Sequence, residues 1–159
     1  MLTQALLKEI FTYDPETGFL KWVKSRGRAP AGSIVSGIEN GYVIVQIDRK
    51  RYYAHRIIWL HSYGNWPEFE IDHIDGVRNN NQLSNLRDVP LQMNRQNLRS
   101  ATVRNVSTGV LGTRLLKGRH LAQISVNGRD KHIGTFGSAE EAHAAYLEAK
   151  RRLHPGCTI

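Results

Sequence analysis

Short apolar runs alternate along this chain with polar segments rich in glycine and asparagine, and the spacing of the apolar positions changes from region to region. Near the start, Ala5, Leu6, Ile10 and Phe11 recur at helical spacing behind Thr3, a capping residue, so TQALLKEIF predicts a short helix. Asp14–Gly18 reads as a turn that leads into a strand from Phe19. GYVIVQIDRKRYYAHR has β-rich runs on both sides of Asp48–Lys50, the pattern of a tight hairpin. HRIIWLHSYG predicts a helix stopped by Gly64 and Pro67. A strand over Glu68–His73, a long loop, a short strand over Leu86–Val89 and a helix from Pro90 follow; proline suits a first helical turn, where its missing N–H has no partner to lose. NLRSATVRNVSTG is polar with little periodicity and reads as a linker over Arg99–Gly109.

The remaining residues are more regular. VLGTRLLKG, HLAQISVNG and KHIGTFG predict three short strands separated by glycine-bearing turns, with Asn127-Gly128 as a strong hairpin signal. SAEEAHAAYLEAKRRLHPG predicts a helix with a Ser138/Glu141 capping box, an apolar stripe of Ala142, Ala145, Tyr146, Ala149 and Leu153, and a stop at Pro155-Gly156. Strand alternation puts Ala122, Ile124 and Val126 beneath that helix and turns Leu121, Gln123 and Ser125 to the other face. The expected fold class is α+β, with a first domain over 1–99, a linker over 100–108 and a small three-stranded antiparallel sheet packed on one helix over 109–156.

Composition adds a partner to this picture. The 159 residues carry 22 Lys and Arg against 14 Asp and Glu, a net charge of +8, and +5 of it falls from Ala101 onward. An excess of that size favours a polyanion bound through phosphate contacts. No apolar run approaches the roughly 20 residues that span a bilayer, and MLTQALLKEIF lacks the small-residue cleavage site of a secretory signal. The expectation is a cytoplasmic protein with no membrane partner. Cys157 is the sole cysteine, so neither an internal disulfide nor a thiolate zinc cluster is available, and no structural zinc is expected.

The chemistry concentrates in EIDHIDGVRNNNQLSNLR, Glu70 to Arg87. A carboxylate beside an imidazole suits a hard cation held by Asp72 and a proton taken by His73 near neutral pH. Neighbours on a regular strand point to opposite faces, so a shared site asks for a bend, which the loop from Asp75-Gly76 is placed to supply. A second oxygen ligand is available from the carboxamide of Asn94 on the following helix, with Asn97 one turn further on as the competing candidate.

These residues, in AHRIIWLHSYGNWP…IDHIDGVRNNNQLSNLR…QMNRQN, resemble the HNH endonucleases of the ββα-metal fold, especially the small phage and intron-encoded kind. FTYDPETGFLKW, Ala31–Ser33 and Asn40–Tyr42 resemble the region that precedes the motif in phage members, so the resemblance covers nearly all of Met1–Asn97. It implies a metal-dependent DNA endonuclease in which His73 is the general base, Asp72 and Asn94 hold one Mg²⁺ or Mn²⁺, and Asn85 pins the loop that keeps His73 oriented. His55 and Arg56 would be phosphate contacts or packing residues. It also implies a phage or mobile-element origin of the homing type, hence the host cytoplasm, and a monomer or homodimer acting on double-stranded DNA. The alternative is a sequence-specific DNA-binding protein with a silent nuclease module.

The C-terminal piece, with Ala122, Ile124, Gly128, Ile133–Phe136, Glu140–Ala142 and Ala145-Tyr146, resembles the APETALA/ethylene-response-factor DNA-binding domain. In that family the sheet lies in the major groove. The resemblance makes Arg114, Lys117, Arg119, Gln123, Ser125, Arg129 and Lys131 the candidate DNA contacts, and His120 replaces the tryptophan usual at its position.

Overall fold

The computed structural model describes residues 1–101 and 107–159; residues 102–106, the middle of the expected linker, lie outside the described residues. The chain is mixed α and β, with four α-helices and several small antiparallel sheets among the described residues, and it forms two compact units, Met1–Leu91 and Gln92–Ile159.

In the first unit, α1 (Gln4–Ile10) starts where the Thr3 hydroxyl accepts the Leu6 N–H at 3.3 Å. It buries Leu7 completely. β1 (Phe11–Asp14) follows without a break and pairs with β2 (Phe19–Trp22), Phe11 opposite Trp22. The turn between them is held by the Asp14 carboxylate, which accepts the Glu16 and Thr17 N–H groups. β3 (Gly37–Glu39), β4 (Tyr42–Ile47) and β5 (Lys50–Tyr53) form a second sheet, and both residues of the β4–β5 turn, Asp48 and Arg49, have positive φ as a tight hairpin requires. α2 (Ala54–Tyr63) ends at Gly64, which takes the left-handed conformation at φ 81° and donates its N–H to the Leu60 carbonyl. Leu7, Phe11, Leu20, Val45, Ile47, Ile57, Ile58 and Ile71 make the core of this unit.

β6 (Glu70–His73) and β7 (Leu86–Val89) pair antiparallel, Asp72 opposite Arg87 and His73 opposite Leu86. The strand begins at Glu70 rather than Glu68 because the Asp88 carboxylate takes the Glu68 and Phe69 N–H groups, at 2.7 and 2.8 Å, in place of ladder bonds. β1 and β3 were not foreseen from periodicity. One is continuous with a helical pattern, and the other is a three-residue strand with Gly37 and an exposed Ile38, which owes its extended form to β4.

The second unit holds β8 (Thr113–Leu116), β9 (Arg119–Val126) and β10 (Arg129–Phe136) in the order β10-β9-β8, with α4 (Ala139–Leu153) packed on the sheet. Ala122 and Ile124 meet Ala142 and Tyr146 in its core. Ser138 caps α4 by accepting the Glu141 N–H at 3.1 Å, while the Glu141 carboxylate reaches back to the Gly137 N–H, one residue before the cap. A β-carbon at Gly112 would sit 2.1 Å from the Tyr146 ring, so only glycine lets the chain enter β8 this close to the helix. Two burials differ from the pattern. Leu121 is buried although it alternates away from the helix, because β9 is central and Arg114 and Thr135 flank it on both sides. Lys150 is 1 % exposed within an apolar stripe, its ammonium donating to the Leu98 carbonyl.

α3 (Leu91–Gln96) opens on the last residue of the first unit and continues in the second. There Gly156 donates its N–H to the Gln96 carboxamide at 2.9 Å, and Arg99 bonds the Thr158 hydroxyl at 3.1 Å. Gly156 and Thr158 are thereby tied to the last residue of α3 and to Arg99 just after it.

Candidate active site

Asp72 and His73 both lie at the end of β6, and both are buried, 6 % and 5 % exposed. The β6–β7 ladder runs in register through His73, so the strand does not bend between them. The reversal comes afterwards, at Gly76 (φ 74°), whose N–H bonds the His73 carbonyl at 2.9 Å. Directly opposed residues share a face of an antiparallel pair, which puts Asp72 beside Arg87. The Arg87 guanidinium contacts Asp72 Oδ2 at 2.7 Å from Nη2 and 2.9 Å from Nε. Arg87 was not singled out in the sequence. Its signal is a register offset, visible only once the two strands are paired.

His73 is bounded on several sides. Its Nε2 lies 3.0 Å from the Asn81 side-chain oxygen. The His55 ring stands edge-on to it at 5.1 Å, and the Tyr42 ring lies at 5.8 Å. Burial lowers the His73 pKa from its ordinary value; the Asn81 bond and the Asp75 and Asp72 carboxylates oppose this, and Arg78 adds to the lowering. Arg78 is exposed, lies over the Tyr42 ring at 5.1 Å and donates to the Asn40 carbonyl at 2.9 Å. This cation beside His73 was likewise not anticipated.

His55 is the second residue of α2 and is 6 % exposed. Tyr53 stacks on its ring at 5.4 Å, and its Nδ1 has no hydrogen-bond partner among the described residues. Burial first, then the neighbouring His73 and Arg56, push its pKa down to about 3, so it is neutral across the physiological range. Arg56 bonds the Phe69 carbonyl at 3.3 Å and lies over the Trp66 ring at 5.9 Å, contacts that hold α2 to the segment before β6.

Asn85 closes a 3₁₀ turn (Leu83–Asn85) and ties the loop to itself. Its carboxamide oxygen accepts the Asp75 N–H at 2.9 Å, and its Nδ2 donates to Asp75 Oδ1 and the Asn80 carbonyl at 2.9 and 2.8 Å. Its own carbonyl accepts the Ile74 N–H at 2.9 Å. Burial works to raise the Asp75 pKa, but bonds from Asn80, the Val77 N–H and Asn85, with the charge of His73, outweigh it and leave it lowered. Asp75 is therefore committed to the loop.

Asn94 lies half-buried on α3, within Gln92–Ile159. Asn97 is buried, and its carboxamide oxygen accepts the Thr158 hydroxyl, which makes it the poorer of the two candidate ligands. Among the described residues no group of three or more His, Cys, Asp or Glu side chains could hold a metal ion. Asp72 is nonetheless a buried, fixed, hard oxygen donor. That chemistry fits a cation such as Mg²⁺, which takes one or two protein oxygens and keeps much of its water.

In the second unit, Arg114, Lys117, Arg119, Ser125, Arg129 and Lys131 are exposed and Gln123 is half-buried. Gln123 donates to the Asp130 carboxylate at 3.5 Å. Arg114 is opposite Leu121 and Ser125 opposite Asp130, so Arg114, Arg119, Gln123 and Ser125 share the face turned from α4. Arg129 and Lys131 stand opposite Val126 and Ile124, on the edge strand and on the helix side of the sheet. Lys117 lies in the β8–β9 turn at φ 49°.

Residues 52–96, from β5 into α3, match the family model described as HNH endonuclease. The matched segment holds Asp72, His73, Asn85 and Asn94, and also His55, Asn81 and Arg87. This segment is thus similar to the HNH endonucleases, nucleases that act on nucleic acid and generally use divalent metal ions, and the match supports a nuclease. Neither the curated proteins nor the solved structures gave a match to the chain. No helix among the described residues is long and apolar enough to cross a membrane.

Proposed function

We propose that the protein is a metal-dependent DNA endonuclease that hydrolyses phosphodiester bonds with His73 as general base, on a ββα-metal site. The match of residues 52–96 to HNH endonuclease carries the reading, because that segment contains the full set of Asp72, His73, Asn85 and Asn94. The buried pair at the end of β6 and the loop tied by Asn85 support it. In this reading Asp72 and Asn94 hold Mg²⁺ or Mn²⁺, which when bound supplies Lewis-acid stabilisation of charge on the phosphate and the leaving oxygen. His73 takes the proton of the attacking water, a role worth about 10²–10⁴-fold in rate. Asn85 keeps the loop, and with it the end of β6, in place. His55 packs the base from one side, and Arg56 and the Arg78 cation that acts on His73 serve as phosphate contacts. The products carry 5′-phosphate and 3′-hydroxyl ends. One site cuts one strand, so a monomer nicks and a double-strand break needs a homodimer or a second event.

The second unit is the reader in this proposal, with the APETALA-like sheet of 109–156 binding double-stranded DNA. Arg114, Arg119, Gln123 and Ser125 contribute the free face, Lys117 the adjoining turn, and Arg129 and Lys131 the edge. The nuclease module covers 1–99 and the linker 100–108. The resemblance to phage members favours a homing-type enzyme of a phage or mobile element, working in a host cytoplasm.

Supercoiled plasmid decides the question. Nicked circles are expected with Mg²⁺ and none with EDTA, and His73→Ala is expected to lose about 10²–10⁴-fold in rate. Equal background from wild type and His73→Ala would leave a DNA-binding protein with a silent nuclease module.

A further inference from the structure

We propose that the tips of two hairpins in Met1–Leu91 form a phosphate-binding surface that grips the backbone of duplex DNA, with Lys24, Arg28, Arg49 and Lys50 as the contacting cations. The inference rests on the nuclease reading for its choice of DNA, and adds to it a docking surface apart from His73.

Met1–Leu91 is nearly neutral, with 11 Lys and Arg against 10 Asp and Glu, yet seven of those cations lie in 21–28 and 49–51. Lys21 pairs with Asp14 at 3.9 Å, Arg26 with Asp48 at 3.4 Å and Arg51 with Glu39 at 2.6 Å. Lys24, Arg28, Arg49 and Lys50 are exposed and have no ion pair among the described residues.

Two turns bring these four together. Arg26 and Ala29 exchange backbone bonds at 2.8 and 3.1 Å, which closes a two-residue hairpin with Gly27 (φ 60°) and Arg28 at its tip. Asp48 and Arg49 form the tip between β4 and β5. The Arg26–Asp48 contact clips one turn to the other, and Arg26 lies over the Trp22 ring at 5.5 Å. An arginine thus holds the second position of both tips.

Arg49 is the telling one. Its φ of 65° is the left-handed conformation, which glycine takes freely and which strains a residue with a β-carbon. Folding alone favours Asn-Gly in such a turn. Strain kept at an exposed position points to a use for the side chain, whereas solubility needs only a charge of either sign at an unstrained one. Duplex DNA carries one negative charge per about 1.7 Å of its axis, so a group of unpaired cations complements it. β5 leads from this tip to Tyr53, whose ring stacks on His55. At about 3.3 Å per residue, Arg49 and Tyr53 stand about 13 Å apart, the length of about four base steps. A duplex that reaches His73 is long enough to meet the tips as well.

Binding of the full-length protein to a fluorescein-labelled duplex, followed by anisotropy over a salt series in EDTA, tests this without cleavage. Arg28→Ala/Arg49→Gly is expected to lower the log–log salt slope by about 2, one for each phosphate released. Its urea midpoint should equal or exceed that of wild type, because glycine relieves the strained turn. Lys24→Ala/Lys50→Ala leaves both tips intact and should lower the slope too, so the reading survives a double variant that does not fold. Lys8→Ala removes an exposed cation from α1 and should leave the slope as it is. Hairpin variants with the wild-type slope, or a Lys8→Ala slope that falls as far for each charge lost, would overturn the inference. So would a loss of slope on duplex RNA in place of duplex DNA. Wild type that nicks plasmid while the hairpin variants keep its slope sinks this inference alone; a lowered slope in a protein that cuts no DNA sinks the nuclease reading instead.

Discussion

At the residue scale, His55 shows how tertiary burial changes what a side chain can do. As a peptide residue it would titrate near neutrality, but enclosed at the start of α2 beside Tyr53 and His73 it stays neutral down to about pH 3. The unfolded chain takes up this proton near pH 6.5 and the folded protein does not. Stability from this group is therefore fully present above pH 6.5 and is lost as pH falls from there toward 3, at up to about 1.4 kcal/mol per pH unit. Urea denaturation at pH 7 and pH 5 should show the loss, and His55→Gln should flatten it. A wild-type slope no steeper than that of His55→Gln would refute the assignment.

At the element scale, the asparagine loop is a built structure. Asn85 ties it at the base through Asp75 and Asn80, and the β1–β2 hairpin closes it from outside through Tyr13 and the Gln82 side chain, which donates to the Glu16 carbonyl. Gly18 is the tightest point of this contact. In Gly18→Ala the added methyl meets backbone, which cannot move as a side-chain tip can, and the positive φ is strained as well. A loss of about 1–3 kcal/mol in stability is expected, together with a fall in nicking larger than any change in DNA affinity. Equal losses in both would show that the hairpin serves DNA binding rather than the support of His73.

At the scale of the whole molecule, charge is divided unevenly between the units. Gln92–Ile159 has 11 Lys and Arg against 4 Asp and Glu, whereas Met1–Leu91 has 11 against 10. The sequence-independent part of DNA affinity should then come mainly from the second unit. Binding measured by anisotropy should weaken steeply with salt, and replacing Arg114, Lys117 and Arg119 by alanine should lower the log–log slope by about 1 for each phosphate that is no longer neutralised. An unchanged slope would place the phosphate-binding cations elsewhere.

Across these scales, the linear chain determined whatever depends on neighbours in sequence. The capped helices at Thr3 and Ser138 and a tight hairpin over Asp48–Lys50 could be read from periodicity and turn residues, and the candidate set of Asp72, His73, Asn85 and Asn94 from a resemblance of sequence. Only the tertiary structure decided that Arg87 grips Asp72, that Asn81 holds His73, that His55 is enclosed and that Lys150 is buried in an apolar stripe. The physical reason is reach. A side chain's propensity acts over a few residues, whereas strand register and the packing of a hairpin on a loop join groups such as Tyr13 and Asn81, which no local pattern relates.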